Sequence, residues 1–319
     1  KAKELLEAGK LVGIPTETVY GLAGNGFNEQ AVASIFSAQQ RPSFDPLILH
    51  LAEPEVIDEV VSEVNPVARQ LITAFWPGPV TLILPRRDRV PDLVTSGLDT
   101  VAVRSPRHPV AQAVLKAFGG VLAAPSANRF GRISPTTPHA VQAELGESVD
   151  LILDGGPCQR GLESTIVDCS GDVPRLARQG AISQEDIEDV IGPVAVLDND
   201  GPPTAPGMLK SHYAPKTVMY LSKSPFQSDM CSRPGHGYLV FQRQGPPERN
   251  ALELSTSGDL AEAGQKLFGL MREADARGYR SIIAFPVPDQ GLGAHALELA
   301  LLPDAMRGAW QAKVHLDPK

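Results

Sequence analysis

Between residues 11 and 178 the chain is divided by short apolar runs: "LVGI" (11–14), "LILHL" (47–51), "VTLILP" (80–85), "TVAVR" (100–104), "GVLAA" (120–124), "LILD" (151–154), "STIVD" (164–168) and "RLAR" (175–178). Runs this short, rich in Val, Ile and Leu and bounded by Gly, Pro and polar residues, predict strands. Amphipathic segments at 28–38, 65–75, 108–118 and 137–145 predict helices. In the first of these, Asn28 is placed to cap, and Val32, Ile35 and Phe36 fall on one face. Strands outnumber helices, and several follow one another directly. The pattern therefore predicts an α/β (α+β) fold, a mixed sheet with helices packed on it, in preference to a regular βαβ alternation.

A break near 198–217 ends in "PGMLKSHYAPK" and is rich in Pro and Gly, so it reads as a linker. Beyond it the strand and helix patterns restart. "VMYL", "GYLVF" and "SIIAFPV" predict strands. In 259–277, Leu260, Ala263, Leu267, Leu270, Met271 and Ala274 share one helical face. The expected division is 1–195 for the first domain, 196–217 for the linker and 218–319 for a small C-terminal α/β domain.

Charge and cysteine content narrow the function. A formal net charge of -8 and 5% aromatic residues weigh against a large nucleic-acid surface. No apolar run approaches the roughly 18 residues of a membrane span. The opening "KAKELLEAGKLVG" lacks the apolar centre of a signal peptide and reads as a short helix ending at Gly9. Cys158, Cys169 and Cys231 are odd in number and widely spaced, as expected of free thiols in a reducing cytoplasm. The seven histidines include no His-x-x-x-His pair with zinc spacing.

Polar clusters stand beside the strand-like runs. "PTETVYG" carries Thr16, Thr18 and Tyr20. "QQRPSFDPL" precedes the run ending at His50, and "TVAVRSP" ends a strand with Arg104. "APSANRFGRISPT" brings Ser126, Asn128, Arg132 and Ser134, while "ESTIVD" and "RLARQG" bring Ser164, Thr165 and Arg178. Taken singly, the threonines read as strand residues, Asn128 and Ser134 as turn or cap residues, and His50 as a core histidine. Taken together they are hydroxyls, amides and arginines, with no Ser-His-Asp order and no paired catalytic carboxylates. Arginine forks hold carboxylates and phosphates. Such an inventory positions anionic substrates and does not attack them covalently.

In order and spacing, "GIPTETVYGLAGN", "RPSFDPLILHL", "WPGPVTLIL", "VAVRSP", "APSANRFGRISPT", "LDGGP", "STIVD", "RLARQGAI" and "PGMLKSHYAP" resemble the YrdC-like threonylcarbamoyl-AMP synthases in their long form. The resemblance is dense over residues 5–217 and weaker beyond, through "GLG" at 291–293. It implies a YrdC-like twisted mixed sheet with flanking helices, and a smaller C-terminal Rossmann-like α/β domain. It also implies a nucleotidyltransferase that makes threonylcarbamoyl-AMP and pyrophosphate from L-threonine, bicarbonate or CO2, and ATP with Mg2+. Other proteins then use the product to modify tRNA.

Carried over by position, the family's threonine site falls on Thr18, His50, Arg104, the backbone at Ala124, and Ser164. Its ATP contacts fall on Arg41, Asp45, Thr100, Ser126, Ser134, Arg178 and His212. Thr16, Tyr20, Asn128 and Tyr213 would support them, with Tyr20 and Gly21 shaping a turn. The segment bearing His212 would close over the nucleotide. Two positions depart from the family: Gln39 stands where Lys is usual, and Asp45 where Asn is usual. One cation fewer and one carboxylate more should weaken ATP binding and favour a metal ion. An RNA-binding module and a non-catalytic nucleotide-binding regulator of the same fold are the alternative readings.

Overall fold

The computed structural model describes residues 1–197, 215–222, 234–242 and 249–287. The first strands are β1 (Val12–Ile14), β2 (Gly21–Asn25), β3 (Ile48–His50), β4 (Val80–Pro85) and β5 (Thr100–Arg104). They are followed by β6 (Leu122–Ala123), β7 (Leu151–Ile152), β8 (Thr165–Asp168), β9 (Arg175–Arg178) and β10 (Ala195–Val196). Together they form a ten-stranded sheet in the order β10-β9-β8-β4-β5-β3-β6-β2-β1-β7. Its pairings are mixed: β3 runs parallel to β5, and β4 parallel to β8, while β1–β2, β4–β5 and β8–β9 are antiparallel.

Helices α1 (Ala2–Glu7), α2 (Glu29–Gln39), α3 (Pro66–Phe75), α4 (Asp92–Thr95), α5 (Pro109–Phe118), α6 (Pro138–Leu145) and α7 (Gln184–Ile191) pack on this sheet. Their starts are written in the sequence. Asn28, Asn65, Thr137 and Ser183 each cap a helix by accepting a backbone N–H, and Pro follows directly at α3 and α6.

Strand alternation decides which face becomes core. Leu47, Leu49 and Leu51 with Val101 and Val103 face the main apolar cluster, which includes Val32, Ile35 and Leu71 of the helices. The neighbouring positions turn the other way. There Ile48, Ile83, Ala102, Ile166 and Ala177 form a small floor. Beside that floor, α1 and α5 contribute Leu6, Val114 and Leu115 to a separate cluster with Val12, Ile14 and Ala124.

The segment predicted as a turn at Tyr20–Gly21 is otherwise. Gly21 opens β2 and pairs with Ile14, so residues 15–20 are the loop of a β1–β2 hairpin. The chain turns earlier, at Pro15, because the Thr16 hydroxyl donates to Val19 O at 2.6 Å and closes the loop on itself.

A second sheet, of four parallel strands, has the order β11-β14-β12-β13, formed by Met219–Leu221, Ser281–Ala284, His236–Val240 and Ala251–Glu253. Helix α8 (Leu260–Ala276) covers it through Ala263, Leu267, Phe268 and Met271. The cluster under α8 also contains Val19, Ile133 and Leu162 of the first sheet's loops. The two sheets therefore share one apolar contact.

Candidate active site

A cleft open to solvent lies over the floor of the large sheet. Its walls are the β1–β2 loop, the ends of β3 and β5, the chain after β6, and the start of β8 beside the end of β9.

Arg104 ends β5 directly beside His50 at the end of β3, because the two strands run parallel in register. The arginine is buried and held at three points. Nε donates to Gly78 O at 3.1 Å, Nη1 to Thr18 Oγ1 at 2.9 Å and Nη2 to Glu17 Oε1 at 2.6 Å. Glu17 Oε2 accepts the Arg107 N–H at 2.9 Å. Burial alone would push the Glu17 carboxyl up; the charge and hydrogen bond of Arg104 outweigh it and hold the group below the usual range. Thr18 is fixed in turn by Thr16, hydroxyl to hydroxyl at 2.8 Å. The His50 imidazole is driven down to about 3 by burial and by the Arg104 charge, so it is neutral at neutral pH.

Across the cleft, Ser164 Oγ lies 2.7 Å from Thr81 Oγ1 and accepts from Arg178 Nη2 at 2.9 Å. Arg178 Nε donates to Ser164 O at 3.0 Å. Ser134 Oγ donates to Glu163 Oε1 at 2.5 Å, and Glu163 Oε2 lies 3.7 Å from Arg178 Nη2. Ser126 lies beside Gly21, its backbone bridged to that strand. Asn128 shapes the following loop by donating to Arg129 O at 2.9 Å and Arg132 O at 3.1 Å.

Thr16, Thr18, His50, Arg104, Ala124 and Ser164 thus line the same cleft as Arg41, Ser126, Asn128, Ser134 and Arg178. Three expected residues stand elsewhere. Thr100 begins β5, opposite Pro85, while Arg104 ends it, which puts it about 13 Å away along the strand. Asp45 is fully buried behind Arg41, at 2.8 Å from Nη2, and does not line the cleft. Burial raises its pKa against the pull of Arg41 and Arg178. Tyr20 is fully buried, donating to Gly156 O at 2.8 Å and accepting from Gly155 N at 3.1 Å, so it ties the β1–β2 loop to the chain after β7. His212, Tyr213 and Cys231 lie outside the described residues. Cys158 and Cys169 are free and buried.

Gln39 occupies the place of the family lysine without aiming at the cleft. Its Nε2 donates to Ser126 O at 2.5 Å, so the amide secures the strand-to-loop exit that carries Ser126. The cleft also holds two residues that the sequence reading left unassigned, Arg132 and Glu163, while Glu17 and Thr81 support it from behind. Glu17 and Glu163 each adjoin an assigned residue, Thr18 and Ser164. That adjacency was the available signal.

The family model described as telomere recombination, covering Sua5, YciO and YrdC, matches residues 4–180. The model for the threonylcarbamoyl-AMP synthase C-terminal domain matches residues 182–298. A threonylcarbamoyl-AMP synthase of Pyrococcus abyssi is 38% identical over 306 residues, covering 92% of this chain and 89% of its own length. One from Bacillus subtilis is 37% identical over 329 residues, covering 97% of this chain and 92% of its own. The crystal structure of P. abyssi Sua5 complexed with L-threonine superposes with a TM-score of 0.88 at 35% identity, over 95% of this chain and 92% of that one.

Proposed function

This chain belongs to the Sua5/YciO/YrdC family of threonylcarbamoyl-AMP synthases, and we propose that it joins L-threonine, bicarbonate or its CO2, and ATP into threonylcarbamoyl-AMP with release of pyrophosphate. It is an enzyme of the nucleotidyl-transfer type. The observation that carries the reading is one cleft in which a rigidly held Arg104, beside neutral His50, faces Arg41, Arg178, Ser126 and Ser134.

Arg104 has three of its donors engaged by Gly78, Thr18 and Glu17, which fixes the plane of the fork. The remaining N–H groups are directed donors for the threonine carboxylate. Such preorganisation removes the entropy of orienting the amino acid before reaction. Once the threonine nitrogen has become a carbamate, a carbamate oxygen attacks the α-phosphorus and the bond to pyrophosphate breaks. Arg41 and Arg178 would offset the charge that builds on the phosphates. No protein nucleophile enters this sequence.

Among the described residues no cluster of three or more His, Cys, Asp or Glu could hold a metal ion. We propose that the magnesium ion arrives on the triphosphate, where it would neutralise phosphate charge. We further propose that the product passes to a tRNA-modifying complex and that the enzyme works in the cytoplasm. Among the described residues no helix is long and apolar enough to cross a membrane.

The test is pyrophosphate release from ATP with bicarbonate, with and without L-threonine. Threonine-dependent release supports the synthase. ATP binding without turnover would favour a nucleotide-binding regulator, and RNA binding without turnover an RNA-binding module.

A further inference from the structure

Resting on the synthase reading, we propose that Glu163 is a substrate-binding residue that holds the threonine ammonium, at the end of the amino acid opposite Arg104. Among the described residues that line the cleft it is the one carboxylate, in company with Arg41, Arg104, Arg132 and Arg178. A free amino acid is a zwitterion. Arginine serves its carboxylate, but the ammonium needs an anionic or strongly accepting partner, and hydroxyls answer that need only weakly.

The Glu163 carboxylate is held ready for this. Oε1 accepts from Ser134 Oγ at 2.5 Å. Oε2 accepts no hydrogen bond among the described residues, its nearest charged partner being Arg178 Nη2 at 3.7 Å, so it keeps acceptor capacity. The backbone is rigid as well. Ala181 N donates to Glu163 O at 2.8 Å, and a Cβ on Gly180 would stand 2.5 Å from that same oxygen. The side chain therefore leaves a fixed point. It adjoins Ser164, assigned to threonine, and contacts Ser134 and Arg178, assigned to ATP, with Arg178 also donating to Ser164. On the residue assignment that the family resemblance implies, an ammonium placed there would sit on the side of the amino acid that faces the nucleotide.

The experiment compares full-length wild type with Glu163→Gln and Glu163→Asp. Gln keeps an acceptor for Ser134 and removes only the charge. The expected result for Glu163→Gln is a KM for threonine raised at least tenfold at pH 7.5, roughly one lost charged hydrogen bond, with the KM for ATP within about twofold. The deficit should shrink as pH rises past the pKa of the amine, because a neutral amine no longer needs an anion. Calorimetry supplies a second readout. Wild type should prefer threonine to 2,3-dihydroxybutanoate, which has a hydroxyl in place of the ammonium, and Glu163→Gln should lose that preference. An unchanged threonine KM, or an effect confined to the ATP KM or the Mg2+ requirement, would overturn the proposal and make Glu163 a nucleotide-side residue. If wild type itself released no threonine-dependent pyrophosphate, the synthase reading would fail, a result distinct from any variant effect.

Discussion

Glu17 Oε1 lies 2.6 Å from Arg104 Nη2, and only 3% of either residue is exposed. A buried pair of this kind is stabilising only while both members are present. Removal of one leaves an unpaired charge that costs about 3–5 kcal/mol. Its use here is geometric: Glu17 and Thr18, neighbours in one loop, aim the fork of Arg104 into the cleft.

That relationship separates stability from binding. Arg104→Ala should lower kcat/KM for threonine by roughly ten- to several hundredfold, the worth of a charge-assisted bond. It should also lower the melting temperature, because Glu17 is stranded. The double variant Glu17→Gln/Arg104→Ala should recover melting temperature and no activity. Thermal scans alongside threonine titrations check both. A double variant as unstable as Arg104→Ala would mean that Arg104 stabilises the protein through packing and not through the pair.

Amino-acid selectivity follows from the hydroxyl-rich wall of Thr16, Thr18 and Ser164. Serine keeps the hydroxyl and lacks one methyl, a loss of roughly 1–3 kcal/mol in a pocket. Valine exchanges the hydroxyl for a methyl and leaves buried polar groups unpaired. Pyrophosphate release should therefore rank threonine above serine above valine. Equal rates with valine and threonine would remove the polar wall from the account.

His50 makes the protein acid-sensitive. Its folded pKa is depressed to about 3, so between its unfolded value near 6.5 and that point the unfolded chain takes up a proton that the folded one refuses. The stability it contributes is intact above about pH 6.5 and falls as pH drops, at up to about 1.4 kcal/mol per pH unit. Glu17, also depressed, adds to the loss only below the ordinary glutamate range. Denaturant midpoints from pH 6.5 to 4.5 should fall less steeply for His50→Gln than for wild type. Parallel curves would show that other groups govern that window.

The strands and helices that bear the site were legible because apolar runs and caps carry their own signal. Strand β2 was not. Its "GLAGN" is built from small residues because α2 packs close: a Cβ on Gly24 would lie 3.2 Å from Ile35 Cδ1 and 3.1 Å from Leu11 Cδ2. The packing that requires glycine there erases the strand propensity. Helix α7 was missed for a different reason: Ile187, Val190 and Ile191 do share one face and pack on the main core, but "QEDIEDVI" is short and half acidic, so the stripe is only three residues long. At the site, motif order located the cleft, but motif position cannot say which way a side chain turns. Thr100 and Asp45 carried the right spacing, yet Thr100 shares the face of Arg104 at the far end of β5 and Asp45 lies buried behind Arg41, whereas Glu163 lines the cleft.

The described part of the C-terminal domain abuts the cleft from behind, and the contact can be tested at one residue. Val19, Ile133 and Leu162, which pack into the cluster under α8, each precede or follow a residue implicated in the cleft: Thr18, Ser134 and Glu163. Gly161 approaches α8 so closely that a Cβ on it would stand 2.5 Å from Gln265 Cα. Arg272 of α8 reaches back, with Nη1 donating to Glu144 Oε1 at 2.8 Å and Nη2 donating to Ile133 O, one residue before Ser134. A helix that served only its own domain would have no need of these contacts. Arg272→Ala removes both tethers while leaving the apolar contact in place. Because the pair is partly buried, the variant should lose on the order of 1–2 kcal/mol of stability at most. Its effect on catalysis should be larger than that cost suggests, since a displacement of about 1 Å at Ser134 can reduce turnover by up to about a hundredfold. The expected outcome is a kcat lowered at least tenfold, with a melting temperature within a few degrees of wild type, and no recovery when threonine is raised to saturation. Wild-type turnover in Arg272→Ala would show that the second sheet rests against the catalytic domain without helping to position its residues.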